Sequence, residues 1–270
     1  MSDFTLKKEI VVSYDKEKFV YKFENVNVQK GKKVTSRAFP SLLNKNKFES
    51  VGKTLLERFS LIEKEQIDPY YLVRGNLAEK IVYDYLLNHY KEKKGVDIIL
   101  TTWKKEDIGY DNFPKNEKFG GMIDIAISQP AEYRAVVEVK SKSMKDYDLI
   151  KGNKGNEEEV LQGLFLAYLS KVDKCLMAYV FFTPEQEQQI KDTMKNGTSA
   201  DIGFQEVKIQ MFKHMVPDEN IPTLTTVAYQ NIELFKKTTT IASTYFSQSE
   251  NQYLKSLVKD LVIEDDALPF

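Results

Sequence analysis

Ala135-Val136-Val137-Glu138-Val139-Lys140 alternates apolar and charged side chains. Residues two apart in a strand share a face, so Ala135, Val137 and Val139 turn to a core while Glu138 and Lys140 stand together on the other side. Upstream, Met122-Ile123-Asp124-Ile125-Ala126-Ile127 sets three isoleucines on one face and Asp124 on the opposite one. Between them, Gln129-Pro130-Ala131-Glu132-Tyr133 is short and contains a proline. Gly121 to Ser128 and Arg134 to Ser141 are therefore expected to pair as an antiparallel hairpin that brings Asp124 beside Glu138.

Working outward, Val96 to Thr102 reads as a further strand. Before it, Arg74 to Tyr90 reads as a helix with Leu77, Ala78, Ile81, Val82, Tyr85 and Leu86 as apolar contacts. Glu79 falls near the face of Leu86, where a carboxylate needs either water, a base or a function. A helix over 157 to 170 leads into the buried strand Leu176 to Phe182. Thr183, Pro184 and Gln186 then have the spacing of a helix cap, first turn and capping partner for a helix over 185 to 194. Residues 202 to 215 read as a strand centred on Phe204 to Ile209, and Val227 to about Val262 as largely helical. Near the N-terminus, Ile10-Val11-Val12 and Phe19 to Phe23 suggest a hairpin. The order is mixed α/β. With neither a convincing repeat nor a long linker, one elaborated domain over residues 1–270 is expected.

The 270 residues hold 39 basic and 40 acidic side chains, which excludes a wholly basic nucleic-acid binder. The balance is uneven: residues 1 to 53 carry 12 Lys or Arg against 6 Asp or Glu, and the remainder 27 against 34. Lys30, Lys32, Lys33 and Arg37 form a basic cluster suited to a phosphate backbone, although a solubilising surface explains the same count. Cys175 is the single cysteine, so no internal disulfide forms, and its apolar setting reads as core. No apolar run approaches the roughly 20 residues of a membrane span. A soluble cytoplasmic protein with no membrane partner is expected. Gly52-Lys53-Thr54 lacks the glycine that a phosphate loop places five residues earlier, Lys47 standing there, so no ATP site is expected.

Asp124 and Glu138 are hard oxygen donors. With a backbone carbonyl such as that of Val139, and with Glu79, they suit Mg²⁺, with Mn²⁺ able to substitute. His89 and His214 are the only histidines, which disfavours zinc. An exposed ion-pair cluster is the plain alternative.

Asp124, 13 intervening residues and then Glu138-Val139-Lys140 resembles the core of the PD-(D/E)xK nucleases. The RecB-like and phage recombination exonucleases are similar over about residues 70 to 182. They add an acidic residue in a helix beginning Arg74-Gly75-Asn76-Leu77-Ala78-Glu79 and a glutamine after the lysine, here Gln162. The sequence departs from that pattern at Ile123, where the family has proline, and at Leu166, where it has tyrosine, with Tyr168 nearby. The resemblance implies a restriction-endonuclease-like mixed central sheet flanked by helices, with N- and C-terminal elaborations. It implies a metal-dependent DNA exonuclease of recombination or repair, in which Asp124 and Glu138 hold the ion. Glu79 would hold a second ion or its water shell, Lys140 position the attacking water, and Gln162 organise the site. DNA, a recombination or repair partner protein and further copies of the chain are the implied partners, and a phage the implied setting. Arg74 is a candidate phosphate contact or a helix anchor, and Trp103 a candidate base stack or a strand anchor. A restriction-like endonuclease and an inactive binding protein of the same fold are the alternatives.

Overall fold

The structure, a computed structural model, describes residues 4–29, 33–63, 66, 68–94, 98–104, 106–129, 132–195, 204, 206–216 and 220–258. In chain order the strands are β1 (Val11–Asp15), β2 (Val20–Glu24), β3 (Val34–Thr35), β4 (Ile99–Thr101), β5 (Phe119–Gly120), β6 (Ile125–Gln129), β7 (Glu132–Ser143), β8 (Lys174–Phe182), β9 (Lys208–Met215) and β10 (Thr240–Ala242). The helices are α1 (Phe39–Leu42), α2 (Val51–Arg58), α3 (Pro69–Lys94), α4 (Tyr147–Asn153), α5 (Glu157–Leu169), α6 (Pro184–Lys195), α7 (Asn220–Thr238) and α8 (Gln248–Leu257). Two compact units result: Met1–Val34, Ala38–Glu65 and Leu224–Phe270 form one, and Thr35–Arg37 with Gln66–Thr223 the other.

The second unit is built on a five-stranded sheet of order β4-β6-β7-β8-β9. The hairpin expected from the alternation is present, with Ile125 opposite Val137 and Ile127 opposite Ala135, and a register shift between Ile127 and Ser128. β4 and β9 pair antiparallel with β6 and β8, whereas β7 and β8 run parallel. A parallel pair requires a long crossover, and α4 and α5 supply it. The result is the restriction-endonuclease-like mixed sheet flanked by helices.

Alternation sorts the two faces. Ile125, Ile127, Ala135, Val137, Val139, Ala178, Val180 and Phe182 pack with Ala78, Val82 and Leu86 of α3 and Ile190 of α6. Glu138, Lys140 and Lys142 of β7 turn to the other face, where α5 lies. α5 comes so close that a Cβ on Gly163 would collide with Cys175 Sγ and sit 2.8 Å from Met177 Sδ, so only glycine fits there. At the α4–α5 junction, Gly155 takes φ +114° beneath the Tyr179 hydroxyl, a backbone conformation that β-carbon-bearing residues rarely adopt. The Thr183 and Gln186 capping box is formed, with bonds of 2.9 and 3.3 Å.

The first unit holds a three-stranded antiparallel sheet of order β1-β2-β10. Phe235 packs on Phe59 and Phe23 with ring centroids 4.7 and 6.1 Å away, and Tyr21 meets Phe246 edge to face at 5.6 Å. Burying each such ring is worth about 1.5 to 3 kcal/mol. Gly52 and Lys53 lie in α2, capped by Ser50 Oγ at 2.9 Å from Lys53 N, rather than in a loop.

Two expectations need correction. The C-terminal stretch is not one helix: α7 ends at Thr238, Thr239 turns to φ 50°, and Thr240–Ala242 joins β2. The run Thr238-Thr239-Thr240 explains the break, since β-branched side chains favour strands and the Thr238 hydroxyl accepts the Thr240 N–H at 3.2 Å. Within the span 202 to 215 the strand is Lys208–Met215, so its centre lies beyond the expected Phe204 to Ile209; residues 202, 203 and 205 lie outside the described residues, and Phe204 packs on Phe182 at 5.7 Å. Among the described residues no helix is long and apolar enough to cross a membrane.

Candidate active site

The pleat of β7 sets Glu138, Lys140 and Lys142 in a row against α5. Lys140 Nζ donates to Glu138 Oε1 at 2.7 Å and to Gln162 Oε1 at 2.9 Å. Lys142 Nζ donates to Glu159 Oε1 at 2.6 Å, one helical turn before Gln162. Asp124, at the entrance of β6, accepts the Val139 N–H at 2.8 Å through Oδ2. The hairpin thus brings Asp124, Glu138, Val139 and Lys140 together, and α5 adds Gln162.

Charge is unevenly compensated here. Glu138 is 3% exposed, and its Oε2 has no hydrogen-bond partner. Burial pushes its carboxyl above the usual range despite the neighbouring Lys140. The Asp124 carboxyl is pushed well above its ordinary value by burial first, then by the charges of Glu138 and Glu79. Burial pulls Lys140 down, but Glu138 and Asp124 outweigh it and hold the ammonium above its ordinary value. Lys140 is therefore a charged donor. An ammonium has three hydrogens, and Glu138 and Gln162 engage two of them.

Glu79, in the middle of α3, is half-buried and acts on both acids through its charge. Among the described residues no three His, Cys, Asp or Glu side chains are grouped to hold a metal ion, so Glu79 does not complete a three-carboxylate cluster. Arg74 is engaged elsewhere, donating to Glu187 Oε1 at 3.0 Å and to Ser141 Oγ at 3.3 Å, with its guanidinium 5.4 and 5.3 Å from the Tyr70 and Tyr71 rings. Trp103 follows β4 and is half-buried. Of the basic cluster, Lys30 and Lys32 lie outside the described residues; the Lys33 carbonyl accepts from Arg58 at 2.9 Å, and Arg37 is exposed. Cys175 is fully buried, and burial pushes its thiol up, in keeping with a core role.

The sequence reading missed Lys142 and Glu159. Their signal was present: Lys142 continues the alternation of Glu138 and Lys140, and Glu159 precedes Gln162 by three residues, one helical turn. Glu187 carries no such signal, because it meets Arg74 across 113 residues of chain.

No protein-family model and no curated protein matches the chain. Among solved structures, the chain is similar to an alkaline exonuclease (LHK-Exo) from Laribacter hongkongensis, at 14% identity, 85% of this chain and 94% of that one, with a TM-score of 0.47. The same exonuclease in complex with dAMP matches over 92% of this chain and 100% of that one, at 14% identity and a TM-score of 0.47. A phage related exonuclease from Haemophilus somnus 129PT matches at 13% identity over 83% and 96%, with a TM-score of 0.44. A functional reading of the chain rests on the site itself.

Proposed function

We propose that the chain is a divalent-metal-dependent phosphodiester hydrolase acting on DNA, exonucleolytic in mode and serving recombination or repair. The observation that carries the reading is Glu138: a carboxylate 3% exposed, with one oxygen held by Lys140 and the other without a partner, beside the desolvated acid Asp124. An unpaired buried oxygen costs about 1–3 kcal/mol, and the neighbouring Lys142–Glu159 pair leaves one as well, at Glu159 Oε2; what singles out Glu138 is the second acid, Asp124, beside it. Here a buried acid, Glu138, and a half-buried one, Asp124, share one ammonium, and a bound cation would supply the missing charge. The donor atoms are all oxygens, which suits Mg²⁺ or Mn²⁺.

Asp124, Glu138 and the Val139 carbonyl would hold the ion, with Glu79 reaching its water shell or a second ion. When bound, the ion supplies charge stabilisation at the phosphate oxygens. Lys140, held by Glu138 and Gln162, directs its remaining N–H at the attacking water or at a phosphate oxygen. Hydrolysis adds the water oxygen to phosphorus and breaks the P–O bond to the leaving nucleoside; one water proton passes to solvent and the leaving oxygen takes one up. Gln162 fixes the Lys140 ammonium and acts as a positioning residue.

The test is a Mg²⁺ and Mn²⁺ cleavage panel on end-labelled linear duplex, single-stranded and closed-circular DNA, with Glu138→Ala alongside. Metal-stimulated digestion from termini by the native protein, abolished in the variant, is expected. Unchanged cleavage by purified variant protein sinks the assignment, and linearisation of the circle replaces the exonucleolytic mode with internal incision.

A further inference from the structure

The face of the sheet that carries Glu138 and Lys140 bears a second basic feature. Lys142 of β7 stands opposite Phe181 of β8, and Phe181 opposite Lys208 of β9, so the three side chains form a row on one face. Just beyond β7, Tyr147 packs edge to face on Phe181 with centroids 5.1 Å apart. The Lys208 ammonium sits 4.0 Å from the centre of the Tyr147 ring, and that of Lys151, one turn along α4, sits 5.6 Å from it.

Both lysines are exposed. Lys140 and Lys142 are each paired to a glutamate, but among the described residues neither Lys151 nor Lys208 has a carboxylate within ion-pairing distance, although Asp146 and Asp148 lie in the adjoining turn. An ammonium over a ring face is oriented at a gain of about 0.5–1 kcal/mol while its hydrogens stay unspent. Two such cations on one ring repel each other, and packing does not require them, since Phe181 already supports Tyr147. An anion relieves that repulsion. From β7 to β9 is two strand spacings, roughly 10 Å, which puts the pair alongside the acid-lysine group on the same face.

We propose that Lys151 and Lys208, held on the Tyr147 ring, bind backbone phosphates of the nucleic-acid strand whose scissile phosphate lies at Glu138 and Lys140. The inference rests on the phosphodiester-hydrolase reading. It gives the substrate class as a polynucleotide and identifies one path the strand takes away from the site.

The test measures binding of labelled DNA over a salt series with divalent ions chelated, so that affinity is read without cleavage. A Lys151→Ala/Lys208→Ala double variant should give a plot of log affinity against log salt shallower by about 1.4 to 1.8, the contribution of two phosphate contacts. Lys151→Arg/Lys208→Arg keeps the charges and should keep the native slope. A native slope in the alanine variant overturns the proposal, as does an equal loss in the arginine variant. With Mn²⁺, hydrolysis of bis(p-nitrophenyl) phosphate, too small to reach both places, should be unchanged in the alanine variant; a loss there overturns the proposal by placing the lysines at the reaction centre. If the native protein hydrolyses neither DNA nor the ester while the slope still falls, the reaction fails and the phosphate path stands. If it hydrolyses both while the slope stays unchanged, the reaction stands and the phosphate path fails.

Discussion

Lys140 is the residue on which the polar face of β7 turns. It is the counter-ion of Glu138, whose carboxylate is buried, and it is held from the helix side by Gln162. Lys140→Ala leaves Glu138 without compensation, and removing one member of a buried pair costs about 3–5 kcal/mol. The urea midpoint should fall accordingly, and the turnover of whatever protein remains folded should drop by on the order of 10²-fold, the scale of losing one charge-stabilising donor. Gln162→Ala spares the ion pair and removes only its orientation, so turnover should fall by about 10- to 100-fold with little change in the urea midpoint. The acids make an opposite prediction. Because Asp124 and Glu138 repel each other in a desolvated setting, Mg²⁺ at about 100 times its dissociation constant should stabilise the native protein by about 2.7 kcal/mol. Thermal scans should show that gain as a rise in Tm, and Asp124→Asn should abolish it.

At the scale of elements, the site depends on how closely α5 lies on β7 and β8. Gly163 sets that distance, and the neighbouring Gln162 and Glu159 reach their lysines only because of it. Gly163→Ala forces the helix outward or Cys175 and Met177 aside, an overpacking cost of about 1–3 kcal/mol. Thermal or urea unfolding should show the loss, and turnover should fall with it because Gln162 moves away from Lys140. Cys175→Ala combined with Gly163→Ala should recover part of the stability, since it removes the atom that the new methyl meets. A purely propensity-based account predicts the contrary, as alanine favours a helix by about 0.8–1.0 kcal/mol over glycine.

Over the whole molecule, the near cancellation of 39 basic and 40 acidic side chains concerns distribution more than total charge. The acid-lysine group lies wholly in the unit built from Thr35–Arg37 and Gln66–Thr223. The basic excess instead falls in residues 1 to 53, where 12 Lys or Arg face 6 Asp or Glu. If Lys30, Lys32, Lys33 and Arg37 contact a DNA backbone, replacing all four with alanine should flatten the salt dependence of binding by up to about 3.6 and weaken all DNA sequences alike. A solubilising surface predicts an unchanged slope, and the same salt series decides between the two.

What the sequence determined by itself is whatever a period of two or of 3.6 encodes: the β6–β7 hairpin, the apolar faces of β7 and α3, the Thr183 cap, and the side of β7 on which Glu138 and Lys140 stand. These are local, because each side chain's direction follows from its neighbours one to four residues away. Lys142 and Glu159 were equally legible from the same periods. The Thr238–Thr240 break was written in three adjacent β-branched residues, yet the strand it begins is defined only by its partner β2, more than 200 residues earlier. Tertiary structure alone decided that β7 and β8 run parallel, that Arg74 is engaged by Glu187 and Ser141, and that Lys208 arrives on the ring of Tyr147. It also decided that one oxygen of Glu138 is left without a partner. Partnering across the sheet depends on which strands lie side by side, and no local repeat records that.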